Sequence, residues 1–223
     1  MLFPKITIVL TTTVNVKHNL SFLFQTDKQS RLSLYLKSIH QWMRSTSFNI
    51  VVVENSGYAF DELIEYRSTE PFKHRFELIT FTERDIPEAA YLRDNTHKGA
   101  SEIFAINYAY YHSRLLPKSD FIIKVTGRFF VSKLESFLSL YDLHVCDGLS
   151  QNNPMRCEIV GSHMKWFHKI FNPFLINQNG NYDGHVENIY RTRLSYLDNV
   201  IKCTVFDIEP TPRGGFDECF KEL

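Results

Sequence analysis

Four short apolar runs, separated by stretches of helical periodicity, constrain this chain more than any other feature of its sequence. They are "KITIVLTTT" (Lys5–Thr13), "NIVVVENSGY" (Asn49–Tyr58), "RFELITFTE" (Arg75–Glu83) and "DFIIKV" (Asp120–Val125). Continuous β-branched and aliphatic residues are what strands covered on both faces require. Between the runs, "SRLSLYLKSIHQWM" spaces Leu32, Tyr35, Leu36, Ile39 and Met43 as one helical face, with Ser30 as its expected N-cap. "AFDELIEYRS" reads as a short helix. "KGASEIFAINYAYYHSRLL" (Lys98–Leu116) resumes helical spacing through Ile103, Ala105, Ile106, Ala109 and Tyr110, and stops at Pro117. Up to Phe130 the order is strand, helix, strand, helix, strand, helix, strand. That alternation predicts a parallel sheet with helices on both faces.

Beyond Phe130 the rhythm loosens. "KLESFLSLYDL" predicts a helix, "RCEIVGSHM" a strand, "KWFHKIFNPFL" a short amphipathic helix and "HVENIYRTRLSYL" a further helix after the loop-like "NQNGNYDG". "IKCTVFDIEP" reads as one last strand and "TPRGGFDECFKEL" as an irregular tail. No linker or repeat divides the 223 residues, so one domain is expected over 1–223, with a change of character between 1–130 and 131–223.

Charge narrows the function. Lys plus Arg and Asp plus Glu number 25 each, so no global field draws the chain to nucleic acid or an acidic membrane. Anion binding, if present, is local. No signal peptide or membrane-spanning run is evident, and Cys146, Cys157, Cys203 and Cys219 lack metal-type spacing. Buried free thiols and a cytoplasmic location are the expectation.

In open parallel sheets, ligands bind beyond the carboxyl ends of the strands. Those ends carry Thr11-Thr12-Thr13, Glu54-Asn55-Ser56, Glu83 and Thr126-Gly127-Arg128, with no dinucleotide fingerprint and no P-loop. "LSLYLKSIHQW", then "VVVENSG", then "NTHKGASEIFAINYA" and "DFIIKV" follow in an order that resembles the GT-A nucleotide-sugar glycosyltransferases, family-2-like enzymes especially. The resemblance covers about Lys5 to Arg128 well and the rest loosely. It implies an α/β, GT-A-like (Rossmann-like), mostly parallel sheet sandwiched by helices. The first part would bind a nucleotide-sugar donor. A mixed C-terminal half would meet a glycan or similar hydroxyl acceptor.

One departure is central. The resemblance places at the end of the fourth strand an Asp-x-Asp that holds a divalent metal on the donor pyrophosphate. This chain has "KVTGR" there, and no Asp-x-Asp anywhere. Lys, Thr and Arg supply no carboxylate for a hard cation. The expectation is that no metal cofactor serves here and that Lys124 and Arg128 steady the departing diphosphate, since a guanidinium donates two hydrogen bonds to phosphate and stays charged. The plainer alternative has Lys124 reaching out from a strand end and Arg128 pairing with a surface acid such as Glu135.

The resemblance also implies that Glu54 reads the nucleobase, that Thr11, Thr12 or Thr13 contact base or ribose, and that Lys98 and Gly99 lie near the diphosphate. As general base it points to Glu187 or Asp183, with His185 a lesser candidate. The structural alternative has Asp183 capping the helix and Glu187 pairing with Arg191. "EPTPRGGFDECF" is either a lid, with Arg213 closing on phosphate, or a frayed end. Trp166, Phe167 and Tyr182 are acceptor-side aromatics or core. Nucleotidyl transfer lacks its Gly-rich basic loop in "TTTVNVKHNL". A non-catalytic nucleotide-sugar or glycan-binding protein is the competing class, since loss of the acidic pair also fits decay of an enzyme.

Overall fold

The computed structural model describes residues 4–16, 24–93, 97–215 and 217–223. Strand β1 (Ile6–Thr12) lies at the centre, and Ile8, Val9 and Leu10 have no exposure on either face. Burial on both faces is why its sequence is a continuous apolar run rather than an alternation. β2 (Asn49–Glu54) and β3 (Phe76–Thr80) extend the sheet in parallel on one side of β1, and β4 (Phe121–Thr126) pairs parallel on the other.

The remaining strands are β5 (Gly148–Ser150), β6 (Ile159–His163) and β7 (Val200–Lys202), and the full order is β3-β2-β1-β4-β6-β5-β7. β6 runs antiparallel to β4 and to β5, and β7 parallel to β5. The expected α/β layout, mostly parallel with a mixed C-terminal part, is therefore present.

Two layers of helices cover the sheet. α1 (Lys28–Ser45), α2 (Ile64–Ser68) and α4 (Leu134–Leu138) pack on the face carrying Ile8, Leu10, Ile50, Val52, Ile123 and Val125. α3 (Lys98–His112), α5 (Phe167–Ile170) and α6 (Val186–Leu194) pack on the face carrying Val9, Val51, Val53 and Ile122. Strand parity assigns each side chain to one layer. Lys124 shares the parity of Ile122, so it points under α3.

Several boundaries differ from the sequence expectation. The N-cap of α1 lies three residues before Ser30: it is Asp27, whose carboxylate accepts the Ser30 N–H at 2.8 Å. The expected last strand is two: Cys203 to Phe206 leaves the sheet after β7, and β8 (Asp207–Pro212) begins a separate ribbon. The tail is not irregular. β9 (Cys219–Glu222) pairs antiparallel with β8, and Phe220 and Leu223 are buried against the α1 layer. Burial of those two side chains fixes a strand too short to show a period in the sequence.

Cys146, Cys157 and Cys203 are buried free thiols as expected, whereas Cys219 is exposed. Among the described residues no helix is long and apolar enough to cross a membrane. Asn95 and Thr96, at the head of the expected loop before α3, lie outside the described residues.

Candidate active site

The chain order reverses between β1 and β4: β2 and β3 lie to one side of β1 and the later strands to the other. Loops leaving the carboxyl ends of β1 and β4 diverge there and leave a crevice. A cleft of about 420 Å³ occupies that crevice, lined from the β1 end by Thr11, Thr12 and Thr13 and from the β4 end by Thr126 and Arg128. The first turn of α3 adds Lys98, Gly99 and Glu102, and the start of α6 adds His185, Val186 and Glu187. Arg213 and Gly214, from the turn between β8 and β9, close one side.

Glycines set the close approaches. A Cβ on Gly127 would stand 2.6 Å from the Thr11 carbonyl oxygen, and the Gly127 N–H donates to that oxygen at 2.9 Å. Gly127 is therefore required by the proximity of β1, and not by the turn conformation the sequence suggests; its φ is not positive. Gly99 meets Val186 in the same way, with a Cβ 2.6 Å from the Val186 side chain, so the first turns of α3 and α6 converge.

Four cations line the cleft: Arg31, Lys98, Arg128 and Arg213, against the carboxylates Glu102, Glu158 and Glu187. Arg31 is buried and fully committed, donating to the Thr13 carbonyl (2.8 Å), the Gln25 carbonyl (3.0 Å) and the Tyr35 hydroxyl (2.8 Å). Arg128 is held more loosely. Its Nη1 donates to Gln25 at 3.3 Å and to the Pro212 carbonyl at 3.4 Å, and its buried Nε has no hydrogen-bond partner. Glu135, the alternative mate for Arg128, instead accepts from the Ser47 N–H at 3.0 Å. Burial pushes the Lys98 ammonium below its ordinary pKa, and Arg128 and Arg213 push it further, against the pull of Glu102 and Glu187. An anion entering between these groups relieves that crowding.

Lys124 does not line the cleft. Its ammonium has no exposure and is spent on Glu102 Oε2 (2.9 Å), the Cys157 carbonyl (2.6 Å) and Thr126 Oγ1 (3.2 Å). Glu54 is also turned inward: it accepts from Thr12 Oγ1 (2.7 Å), the Ser56 N–H (2.9 Å) and the Val14 N–H (3.4 Å), tying the β1 turn to the end of β2. Thr13 donates to Asn55 at 2.7 Å, and Thr11 donates to Glu102 at 2.7 Å. Asp183 stands just outside the lining, accepting from the His185 N–H (2.9 Å) and the Asn188 amide (3.4 Å), which organises the start of α6. Glu187 faces the cleft, and Arg191, its expected mate, donates to Asn188.

Glu102, Arg31 and Tyr35 are site residues that sequence reasoning missed. Glu102 lies one helical turn after Lys98, so the spacing alone puts it on the same face. Among the described residues no group of three or more His, Cys, Asp or Glu side chains is placed to hold a metal ion. Thr126, Gly127 and Arg128 offer no carboxylate, and Glu102 already receives Thr11, Thr126 and Lys124.

No protein-family model matches the chain, and no curated protein matches it. Solved structures do. An active-site mutant of LgtC aligns with a TM-score of 0.50 at 10% identity, over 88% of this chain and 72% of that one. GlyE, a glycosyltransferase of Streptococcus pneumoniae, aligns at 0.52 and 10% identity, over 90% of this chain and 45% of that one. The bifunctional glycosyltransferase WbbM aligns at 0.51 and 11% identity, over 91% of this chain and 39% of that one. The chain thus spans under half the length of GlyE and of WbbM, and its likeness to all three establishes the fold: a GT-A-like architecture shared with glycosyltransferases.

Proposed function

We propose that the protein transfers a sugar from a nucleotide-sugar donor to a hydroxyl of a glycan or similar acceptor, without a divalent metal. The observation that carries this reading is the convergence of Lys98, Arg128 and Arg213 on the crevice between β1 and β4, where a carboxylate pair would otherwise hold an ion. As the bond between the anomeric carbon and the diphosphate breaks, negative charge builds on the leaving oxygen. Fixed cations aimed at that charge lower the barrier. The loosely held guanidinium of Arg128, with an unpartnered Nε, has donors to give to phosphate.

The acceptor hydroxyl must lose its proton as it attacks. Glu187 in the first turn of α6 is the carboxylate we assign as general base. Asp183 positions that turn rather than meeting the acceptor. The Thr11–Thr13 turn, shaped from below by Glu54, faces the nucleoside.

The test is product release from a panel of UDP-, GDP- and CDP-sugars in EDTA, with and without small saccharide acceptors. Turnover in EDTA is the expected result. Turnover that appears only when Mn²⁺ or Mg²⁺ is restored contradicts the metal-free reading. Tight nucleotide-sugar binding with no turnover of any donor favours the non-catalytic alternative.

A further inference from the structure

Glu102, one of three carboxylates that line the cleft, is paired with a buried lysine. Its neighbour one turn earlier, Lys98, lines the same cleft. Glu102 is 19% exposed, while Lys124, which it pairs with, is entirely buried beneath it. A strand interior rarely accepts a lysine unless the charge is matched. The pair is therefore a built element: the buried ammonium cancels the charge of a carboxylate that remains open to the cleft.

What such a group can bind follows from its remaining valence. An ionised carboxylate has about four acceptor positions. Three donors reach Glu102: Thr11 Oγ1 at 2.7 Å, Lys124 Nζ at 2.9 Å and Thr126 Oγ1 at 3.4 Å. Thr11 and Thr126 both reach Oε1, so one acceptor position is left on Oε2 of a side chain that lines the cleft. Its complement is a neutral donor, an alcohol hydroxyl, and not phosphate, which has only acceptors to offer.

We propose that Glu102 is a specificity-determining residue that accepts a hydroxyl of the donor's sugar ring, and that Lys124 is the positioning residue that fixes and neutralises it. This rests on the donor reading above. Lys98 and Glu102 then divide the donor between them along one face of α3, the cation taking the diphosphate and the carboxylate the sugar. Sugars lacking the matching hydroxyl lose affinity, because the half-buried carboxylate is left short of a partner once the donor covers it.

Calorimetry on the full chain tests this with UDP, GDP and CDP, and with UDP-glucose, UDP-galactose, UDP-N-acetylglucosamine, GDP-mannose and CDP-glucose. The expected result is that one nucleoside diphosphate binds, that its sugar conjugate binds at least tenfold tighter, and that Glu102→Gln abolishes this difference while leaving affinity for the bare diphosphate within twofold. Glu102→Gln leaves the Lys124 charge buried and unmatched, so Glu102→Gln/Lys124→Met is measured beside it; it removes both charges and is expected to give the same binding pattern. If either folded variant keeps the sugar's contribution, or loses bare and conjugated diphosphate alike, the assignment of Glu102 is overturned. If the unaltered protein binds none of the diphosphates or conjugates, the donor reading itself falls, and this inference with it.

Discussion

Substitution at the buried Lys124–Glu102 pair separates its two members by how far each can reach water. Glu102→Gln leaves a fully buried ammonium facing neutral acceptors alone: the new amide, the Cys157 carbonyl at 2.6 Å and Thr126 Oγ1 at 3.2 Å. Breaking a buried pair in this way costs about 3–5 kcal/mol. Lys124→Met leaves a carboxylate that is 19% exposed, keeps the Thr11 donor and borders the cleft. Solvation through the cleft lowers the cost to about 1–3 kcal/mol, that of an unsatisfied polar group rather than of a broken buried pair. In the double variant neither charge is stranded, and about 1–2 kcal/mol is expected, since an ion pair replaced by groups of similar volume is often near neutral.

Urea denaturation of the four proteins at pH 7 closes a double-mutant cycle, and a coupling of about 2 kcal/mol or more is expected. Burial depresses the pKa of Lys124, but the Glu102 carboxylate and its neighbours outweigh it, so the folded value lies above the unfolded one. The contribution is then whole at neutral pH and is lost only as pH rises through that folded value. Single-variant losses that add to the double within about 0.5 kcal/mol would refute the coupling, as would Lys124→Met costing more than Glu102→Gln.

Arg128→Ala is expected to weaken nucleoside diphosphate binding by about 10- to 100-fold, the worth of a charge-assisted hydrogen bond, with Arg128→Lys recovering little; calorimetry checks both. Gly99→Ala drives a Cβ to 2.6 Å from both Cβ and Cγ1 of Val186 and should cost about 1–3 kcal/mol by overpacking, with Val186→Ala restoring only part of it in urea melts, because the Cβ at position 186 remains. Asp147 is held at about 2 by Lys165 at 2.7 Å, against some burial, with further bonds from Trp166 and the Asn199 N–H. Its stabilisation is present above the unfolded value near 3.9 and lost as pH falls through about 2. The stability gap between wild type and Asp147→Asn, about 1–2 kcal/mol after allowance for the half-exposed Lys165, should therefore shrink between pH 4 and pH 2.

The parallel half of the sheet was legible because strands buried on both faces advertise themselves as unbroken apolar runs, as Ile50 to Val53 do. β5 and β9 were not, since three or four residues show no period and their burial depends on distant elements. At the site, Lys98, Arg128, Glu187 and Arg213 reach the cleft from four separate elements, and each could be placed by its position at a strand end, helix start or turn. Lys124 looked like a mouth residue only because strand parity was not combined with the face of α3. Val9, its β1 neighbour in register, is a core residue of that same layer, so a charge at 124 had to be matched from the helix above. Glu102 was the residue able to match it. Glu54 follows a similar logic, since its side chain folds back to accept from the Ser56 N–H of its own turn.

A crystal structure with the preferred nucleoside diphosphate, grown in the presence of Mn²⁺, is the most direct measurement of the central claim. The expected electron density has both phosphates within about 3.2 Å of nitrogens of Arg128, Lys98 or Arg213, and no ion between them and the protein. A diphosphate bridged to carboxylate oxygens through a metal, or seated away from the β1–β4 crevice, contradicts it.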